Sequence, residues 1–94
     1  MKKYELTIVL DGKATSAQKK AKTDFVEKLV KVSQGKVVTT SDWGVKDLAY
    51  KIEKTDTGSF TFFELELDPA SVTNINEKLR LEDGIIRYLL VKAE

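Results

Sequence analysis

The sequence contains no cysteine and no histidine. Without cysteine, no disulfide, thiolate metal site or thiol nucleophile is possible, and without histidine the commonest general base and metal ligand is missing. Its longest apolar runs are a few residues long, far too short to span a membrane. The N-terminal residues carry neither an apolar signal core nor an arginine-rich transit segment. We therefore expect a soluble cytoplasmic protein with no metal site and no membrane partner.

A surplus of either charge is also lacking, because 16 basic and 15 acidic residues give a net charge of +1. The charge is uneven, since residues 1–47 carry +4 and residues 48–94 carry −3. A strongly basic chain favours nucleic acid as a partner. This weak dipole permits local phosphate contacts but predicts little general affinity for polyanions.

A long hairpin from Lys36 to Leu67 is the most distinct pattern, because β-branched and aromatic residues crowd both of its arms. Its polar link is predicted from Glu53 to Gly58. Gly44 would weaken a regular strand, so it indicates a bulge or a bend in the first arm.

The remaining segments read as two strands and two helices. Residues 3–10 and 85–92 alternate in the manner of strands. A helix is expected from Thr15 or Ser16 to about Gln34, where Gly35 stops it in a left-handed conformation. The apolar stripe of this helix is predicted to contain Ala17, Ala21, Phe25, Leu29 and Val32, widened by Val26 and Val30.

The second helix is expected to begin at Asp68-Pro69 and to end at Glu82-Asp83-Gly84. Its buried stripe is Val72, Ile75 and Leu79. The resulting order, strand-helix-strand-strand-helix-strand, is that of an α+β, ferredoxin-like βαββαβ fold. We expect one domain over residues 1–94, with a four-stranded antiparallel sheet, the first and third strands central, and both helices packed on one face. The predicted core contains Leu6, Ile8, Leu10, Phe63, Leu65, Leu67, Tyr88 and Leu90, closed by Phe25, Leu29, Ile75 and Leu79.

Two aromatic residues of the second hairpin arm, Phe60 and Phe62, are predicted to face away from the helices. Such side chains could stack on RNA bases, but the basic-aromatic signature of RNA recognition motifs is absent. Burial against a protein partner is the favoured interpretation, and covering of the open face is a third. Trp43, beside Gly44, fits either the core or an interface.

Basic residues near the ends of the outer segments are candidates for phosphate contacts. Lys2 and Lys3 precede the first strand, and Arg87 and Lys92 lie on the last strand, which the topology makes its neighbour. Their convergence would form a small basic patch, although most surface lysines are simply solvated. Lys54 at the hairpin tip is a further candidate for RNA binding.

The whole pattern resembles the bacterial small-subunit ribosomal protein S6 family. The resemblance is carried by residues 2–10 (Lys-Lys-Tyr-Glu-Leu-Thr-Ile-Val-Leu), residues 43–54 (Trp-Gly-Val-Lys-Asp-Leu-Ala-Tyr-Lys-Ile-Glu-Lys), Gly58 with Phe60, and residues 79–92 from Leu-Arg to Val-Lys. It covers the chain in order without large gaps. One departure is Lys51, which stands where the family usually has proline.

This resemblance implies a structural ribosomal protein without catalysis or cofactor. It implies binding to small-subunit ribosomal RNA in the platform region, jointly with ribosomal protein S18. It also points to Lys2, Lys3, Arg87 and Lys92, since the family has basic residues at these positions. The near-neutral charge is consistent with a protein that needs a basic partner, because phosphate neutralisation supplies much of the affinity for RNA.

One alternative from another class remains open, because this fold hosts many functions. The chain could be a small regulatory module that binds a metabolite or self-associates through its open sheet. Enzyme activity is not expected. Glu64 and Glu66 share a strand face as paired catalytic acids might, but neither a nucleophile with its base nor a glycine-rich phosphate loop accompanies them.

Overall fold

A computed structural model describes residues 1–52 and 55–93. The elements follow in the predicted order, and the α+β ferredoxin-like fold is confirmed. They are β1 (Lys2–Asp11), α1 (Ser16–Val32), β2 (Lys36–Ile52), β3 (Thr55–Leu67), a short 3-10 turn (Pro69–Ser71), α2 (Val72–Leu81) and β4 (Ile85–Lys92).

The four strands form one antiparallel sheet in the order β2-β3-β1-β4. As predicted, β1 and β3 are central. The hairpin link is shorter than the predicted Glu53–Gly58, because β3 already begins at Thr55. In the register, Gly58 lies opposite Lys46 on β2. Gly58, which was predicted to belong to the polar link, is therefore paired within the sheet.

One face of the sheet packs on the helices and forms the core. Its largest fully buried side chain is Phe63, which lies opposite Leu6 on β1. Burial of each large apolar side chain contributes about 1.5–3 kcal/mol. The buried cluster contains Tyr4, Leu6, Ile8, Val26, Val30, Phe63, Leu65, Leu67, Ile75 and Leu79, with Phe25, Leu29, Tyr88 and Leu90 partly buried against it.

Helix α1 begins with a capping box, in which Thr15 and Gln18 each bond the backbone N–H of the other. The prediction of which residues form the centre of the apolar stripe on this helix was wrong. Val26 and Val30 are the fully buried residues, whereas Val32 is 72% exposed. Val26 and Val30 are one helical turn apart, so both face the sheet. The other residues of the predicted stripe therefore lie at the margin of the buried face or in solvent. Ala17 and Ala21 are exposed, and Phe25 and Leu29 are partly buried.

The end of α1 also differs from the prediction. The left-handed residue is Gln34, with φ of 63°, and Gly35 is not among the residues with positive φ. Gly35 is needed for space instead, because a Cβ there would lie 2.7 Å from the carbonyl oxygen of Glu66. Its N–H donates to the carbonyl oxygen of Val30 at 2.8 Å, which ties the helix end to the start of β2.

Helix α2 is preceded by the short turn that Asp68 caps. The Asp68 carboxylate accepts the N–H of Ala70 at 3.0 Å, and Pro69 takes the first position of the turn. The predicted buried residues Ile75 and Leu79 are fully buried. The hydroxyl of Tyr88 donates to the carbonyl oxygen of Asn76 at 3.1 Å, so β4 is also fixed to α2 by a polar contact.

Candidate RNA and partner interface

The sheet face turned away from the helices, called the open face here, has an ordered pattern of side chains. Odd-numbered residues of β1 share it with even-numbered residues of β3 because strand side chains alternate. The register aligns these residues into four rows, which are Val9 with Phe60, Thr7 with Phe62, Glu5 with Glu64, and Lys3 with Glu66. The open face is therefore mostly apolar towards the hairpin and charged towards the opposite end.

Trp43 lies on the open face and stacks on Phe62. Their ring centroids are 4.9 Å apart and their planes differ by 9°. Trp43 is 49% exposed, whereas Phe62 is partly buried. Such aromatic pairs contribute about 0.5–1.5 kcal/mol beyond the area that they bury. Trp43, which the sequence left between core and interface, is thus a surface side chain.

A β-bulge in β2 directs Trp43 to this position. The register shifts between Asp42, opposite Thr61, and Gly44, opposite Phe60, so Trp43 is the extra residue. Gly44 adopts φ of 80°, and its N–H donates to Asp42 Oδ1 at 2.8 Å. The predicted bulge at Gly44 is confirmed, and it does what bulges commonly do, which is to re-aim a side chain.

Phe60 closes a small apolar cluster at the hairpin end of the open face. Gly58 lies beneath it, and a Cβ at that glycine would come within 2.7 Å of Val9 Cγ1 and 3.2 Å of Leu48 Cδ2. Val9 is only 5% exposed. Phe60 and Phe62 therefore both point away from the helices, as the alternation predicts, and neither belongs to the core cluster.

Acidic side chains occupy the middle of the open face. Glu5 and Glu64 are directly opposite each other on β1 and β3, which brings their Cβ atoms to about 5 Å. Both are exposed. In the next row Glu66 is aligned between Lys3 on β1 and Lys36 on β2. Cations therefore flank Glu66 in its row, whereas Glu5 and Glu64 have each other as neighbours.

Three of the predicted RNA-binding lysines lie at the same end of the sheet, with Lys3 on the open face and Lys2 and Lys92 on the opposite face. Lys92 lies opposite Tyr4, one residue from Lys3 on the central strand. The N–H of Ala93 donates to the carbonyl oxygen of Lys3 at 2.9 Å, which holds the two strand ends together. Lys2, Lys3 and Lys92 are all exposed. These three residues, called the lysine cluster here, can present ammonium groups to phosphate oxygens.

Arg87 does not join the lysine cluster, so the predicted convergence of all four basic residues was wrong. Arg87 lies opposite Val9, six residues along β1 from Lys3, which corresponds to about 20 Å. It is exposed and stands at the apolar end of the open face. Lys54, the fifth predicted RNA-binding residue, lies outside the described residues.

Sequence reasoning missed three contributors to this surface, namely Lys46, Glu5 and Lys36. The ammonium group of Lys46 is 5.9 Å from the centroid of the Trp43 ring, within the range of a cation–π contact. Only the observed bulge and register bring these residues beside the predicted ones. Two signals were available, since alternation along β1 puts Glu5 on the open face and the Gly44 bend marks a change of side-chain direction near Lys46, but neither gives the register.

Neither a metal site nor a membrane-spanning helix is found among the described residues. No group of three or more metal-ligating side chains within residues 1–52 and 55–93 could hold a metal ion. Neither α1 nor α2 is long and apolar enough to cross a membrane.

Comparison with known proteins agrees with the fold and its residues. The family model described as Ribosomal protein S6 matches residues 3–92. Small ribosomal subunit protein bS6 of Campylobacter concisus (strain 13826) is 34% identical over 94 residues, which are 100% of this chain and 68% of that protein. The bS6 protein of Salinispora tropica is 28% identical over 94 residues, which are 100% of this chain and 98% of that protein.

Among solved structures, the crystal structure of 30S ribosomal protein S6 from Thermotoga maritima superposes with a TM-score of 0.89. It covers 97% of this chain and 86% of the other at 20% sequence identity, which supports the fold. The family match extends over both central strands, both helices and both edge strands. This chain therefore belongs to the ribosomal protein S6 family, whose members are proteins of the small ribosomal subunit.

Proposed function

We propose that this chain binds small-subunit ribosomal RNA jointly with ribosomal protein S18, as a structural component of the cytoplasmic ribosome. The lysine cluster is the observation that carries this proposal. Three exposed lysines lie at one sheet end of a protein whose net charge is only +1. Each phosphate contact releases condensed counterions, so a few clustered lysines bind RNA locally. A second binding partner then has to supply the remaining affinity.

The open face supports the second half of the proposal, which is the protein partner. Phe60, Phe62 and Trp43 provide aromatic surface next to polar residues, and aromatic side chains are enriched in the buried centres of protein interfaces. One face of the Trp43 ring is already covered by Phe62. The carboxylates of Glu5 and Glu64 in the neighbouring row repel phosphate, which favours protein over RNA on this face.

Cosedimentation with small ribosomal subunits from a cell lysate tests the RNA-binding part. We expect the chain to pellet with the subunits at low salt. The triple variant Lys2→Ala/Lys3→Ala/Lys92→Ala should reduce this association at least tenfold. Its matched control is Lys20→Ala/Lys28→Ala/Lys31→Ala on the exposed side of α1, which removes the same charge. Recovery of the wild type in the soluble fraction, or equal losses in the two triple variants, would contradict the proposal.

Binding to a small-subunit ribosomal RNA fragment, measured with and without ribosomal protein S18, tests the joint part. We expect the partner to raise the affinity of this chain for the fragment by well over tenfold, because the chain alone neutralises few phosphates. Equal affinities in the two measurements would remove the protein partner from the proposal and leave RNA binding alone.

A further inference from the structure

The aromatic pair of Trp43 and Phe62 on the open face already lies close to one cation of the chain itself. Trp43 lies against Phe62, and the ammonium group of Lys46 stands 5.9 Å from the Trp43 centroid. A cation–π contact of this kind is attractive even at an exposed site, and it strengthens when the site is desolvated. An arginine from a partner would gain more there than Lys46 does, because its guanidinium is planar and more weakly hydrated.

The row next to this pair carries two carboxylates at directly opposed positions, where a cation would relieve their repulsion. Glu5 and Glu64 face each other across β1 and β3, and directly opposed like charges destabilise a sheet. Within residues 1–52 and 55–93, neither carboxylate takes part in an ion pair. Glu64 Oε1 instead accepts a hydrogen bond from the hydroxyl of Thr39 at 3.0 Å, which fixes it without neutralising it.

The spacing of these two features matches that of an extended peptide. The row of Phe62 and the row of Glu64 are two residues apart on β3, a rise of about 6.8 Å along the strand. Alternate side chains of an extended segment repeat at the same distance. One segment lying along the sheet can therefore place one side chain on the aromatic pair and the next-but-one side chain over the two carboxylates.

We propose that the open face binds an extended, arginine-containing segment of the protein partner. One arginine lies over Glu5 and Glu64, where a guanidinium can form paired hydrogen bonds to carboxylates. The side chain two residues away packs on Trp43 and Phe62, displacing Lys46. This inference rests on the proposed function for the existence of a protein partner, and adds the chemistry and register by which that partner is held.

A peptide titration tests the inference. Trp43 is the only tryptophan of the chain, so its fluorescence reports on this surface alone. The probe is acetyl-Arg-Leu-Arg-Val-Arg-Leu-amide, and its control has glutamine in place of each arginine. We expect the arginine peptide to change the Trp43 emission and to bind at least fivefold more tightly than the control. Equal binding of the two peptides, or no change with either, would overturn the inference.

Variants of the full chain locate the contact. The double variant Glu5→Gln/Glu64→Gln should weaken the arginine peptide at least fivefold, whereas Glu27→Gln/Glu77→Gln on the helices should leave it unchanged. Relief of the repulsion should also raise the melting temperature of the first variant, which separates lost binding from lost folding. Equal affinities of the two double variants would contradict the placement of the arginine.

Lys46→Ala provides a test in the opposite direction. If the peptide displaces Lys46 from Trp43, removal of this lysine should strengthen binding at least twofold, while Lys28→Ala on α1 should have no effect. Weaker binding by Lys46→Ala would overturn the displacement. The peptide titrations use neither ribosomes nor ribosomal protein S18, so their failure is distinguishable from a failure of cosedimentation, which would contradict the proposed function.

Discussion

Lys22 on α1 and Glu82 at the end of α2 form an ion pair across 60 residues of sequence, with Nζ and Oε2 2.7 Å apart. Both side chains are about three-quarters buried, at 21% and 27% exposure. This pair joins the two helices beside the turn that leads into β4. The stem of Lys22 also runs over Gly84, where a Cβ would lie 2.8 Å from Lys22 Cε.

Glu82→Gln should lower the free energy of unfolding by about 1 kcal/mol. The loss exceeds that of an exposed pair, because the Lys22 ammonium group stays partly buried without its counter-charge. Urea unfolding measures it. The control is Asp24→Asn, which removes the exposed pair with Lys20 (3.4 Å) and should cost under about 0.5 kcal/mol. Similar losses in both variants would show that burial of the first pair has no energetic effect.

Leu79→Ala should lower the free energy of unfolding by about 2–5 kcal/mol, because it opens a cavity in a close-packed core. Leu79 is 1% exposed, whereas Leu81 on the same helix is 68% exposed. Leu81→Ala should therefore change stability by less than about 0.5 kcal/mol. Chemical denaturation of both variants decides the matter, and a small effect at Leu79 would mean that α2 packs differently.

Gly44→Ala should destabilise the chain by about 1–2 kcal/mol even though a methyl group at this position meets nothing within 4 Å. The reason is the backbone, since φ of 80° disfavours any residue with a Cβ. The same change should alter the fluorescence of Trp43, because the bulge directs this side chain. Ser41→Ala, an exposed position of the same strand, is the matched control. An unchanged melting temperature and spectrum would show that the bulge does not depend on glycine.

Ser59→Ala should leave stability unchanged or raise it by about 1 kcal/mol. Ser59 is 0% exposed, and its hydroxyl has no hydrogen-bond partner among the described residues. A buried unsatisfied hydroxyl costs about 1–3 kcal/mol, and alanine keeps nearly the same volume. Thermal unfolding tests this. A marked loss of stability would instead reveal that the hydroxyl is bonded.

Arg87→Ala should weaken incorporation into small ribosomal subunits while changing the melting temperature little, because Arg87 is an exposed residue of the edge strand β4. Quantitative cosedimentation and calorimetry give the two readouts. Arg80→Ala on the exposed side of α2 removes the same charge and should leave incorporation intact. A large loss of stability on changing Arg87 would make its role structural.

Much of this architecture could be predicted from local pattern. The alternation of Phe60, Phe62 and Phe63 separates the open face from the core because side chains of a strand alternate strictly. Gly44 indicated the bulge because a glycine inside a strand weakens regular pairing and often stands where the strand bends. The element order then admitted one common topology, which the structure confirms.

Register and helix rotation could not be predicted in the same way. Both depend on contacts between distant segments, which local pattern does not encode. The wrong placement of Arg87 beside Lys3 has another cause, because the antiparallel direction of β1 and β4 alone puts the start of β4 at the end of β1. The burial of Val26 and Val30 rather than Val32 could not be predicted, because α1 has several apolar residues and only contact with the sheet determines which of them are buried.

The central position of β1 has a consequence for how the chain acquires its structure. Both neighbours of this strand come much later in the sequence, and its last partner is β4. Leu6 meets Phe63 on one side and Leu90 on the other. Contacts of such long range slow folding, because a large loop must close before they stabilise anything. Of the four strands of this sheet, β1 is thus synthesised first but is fully paired only when β4 has been made.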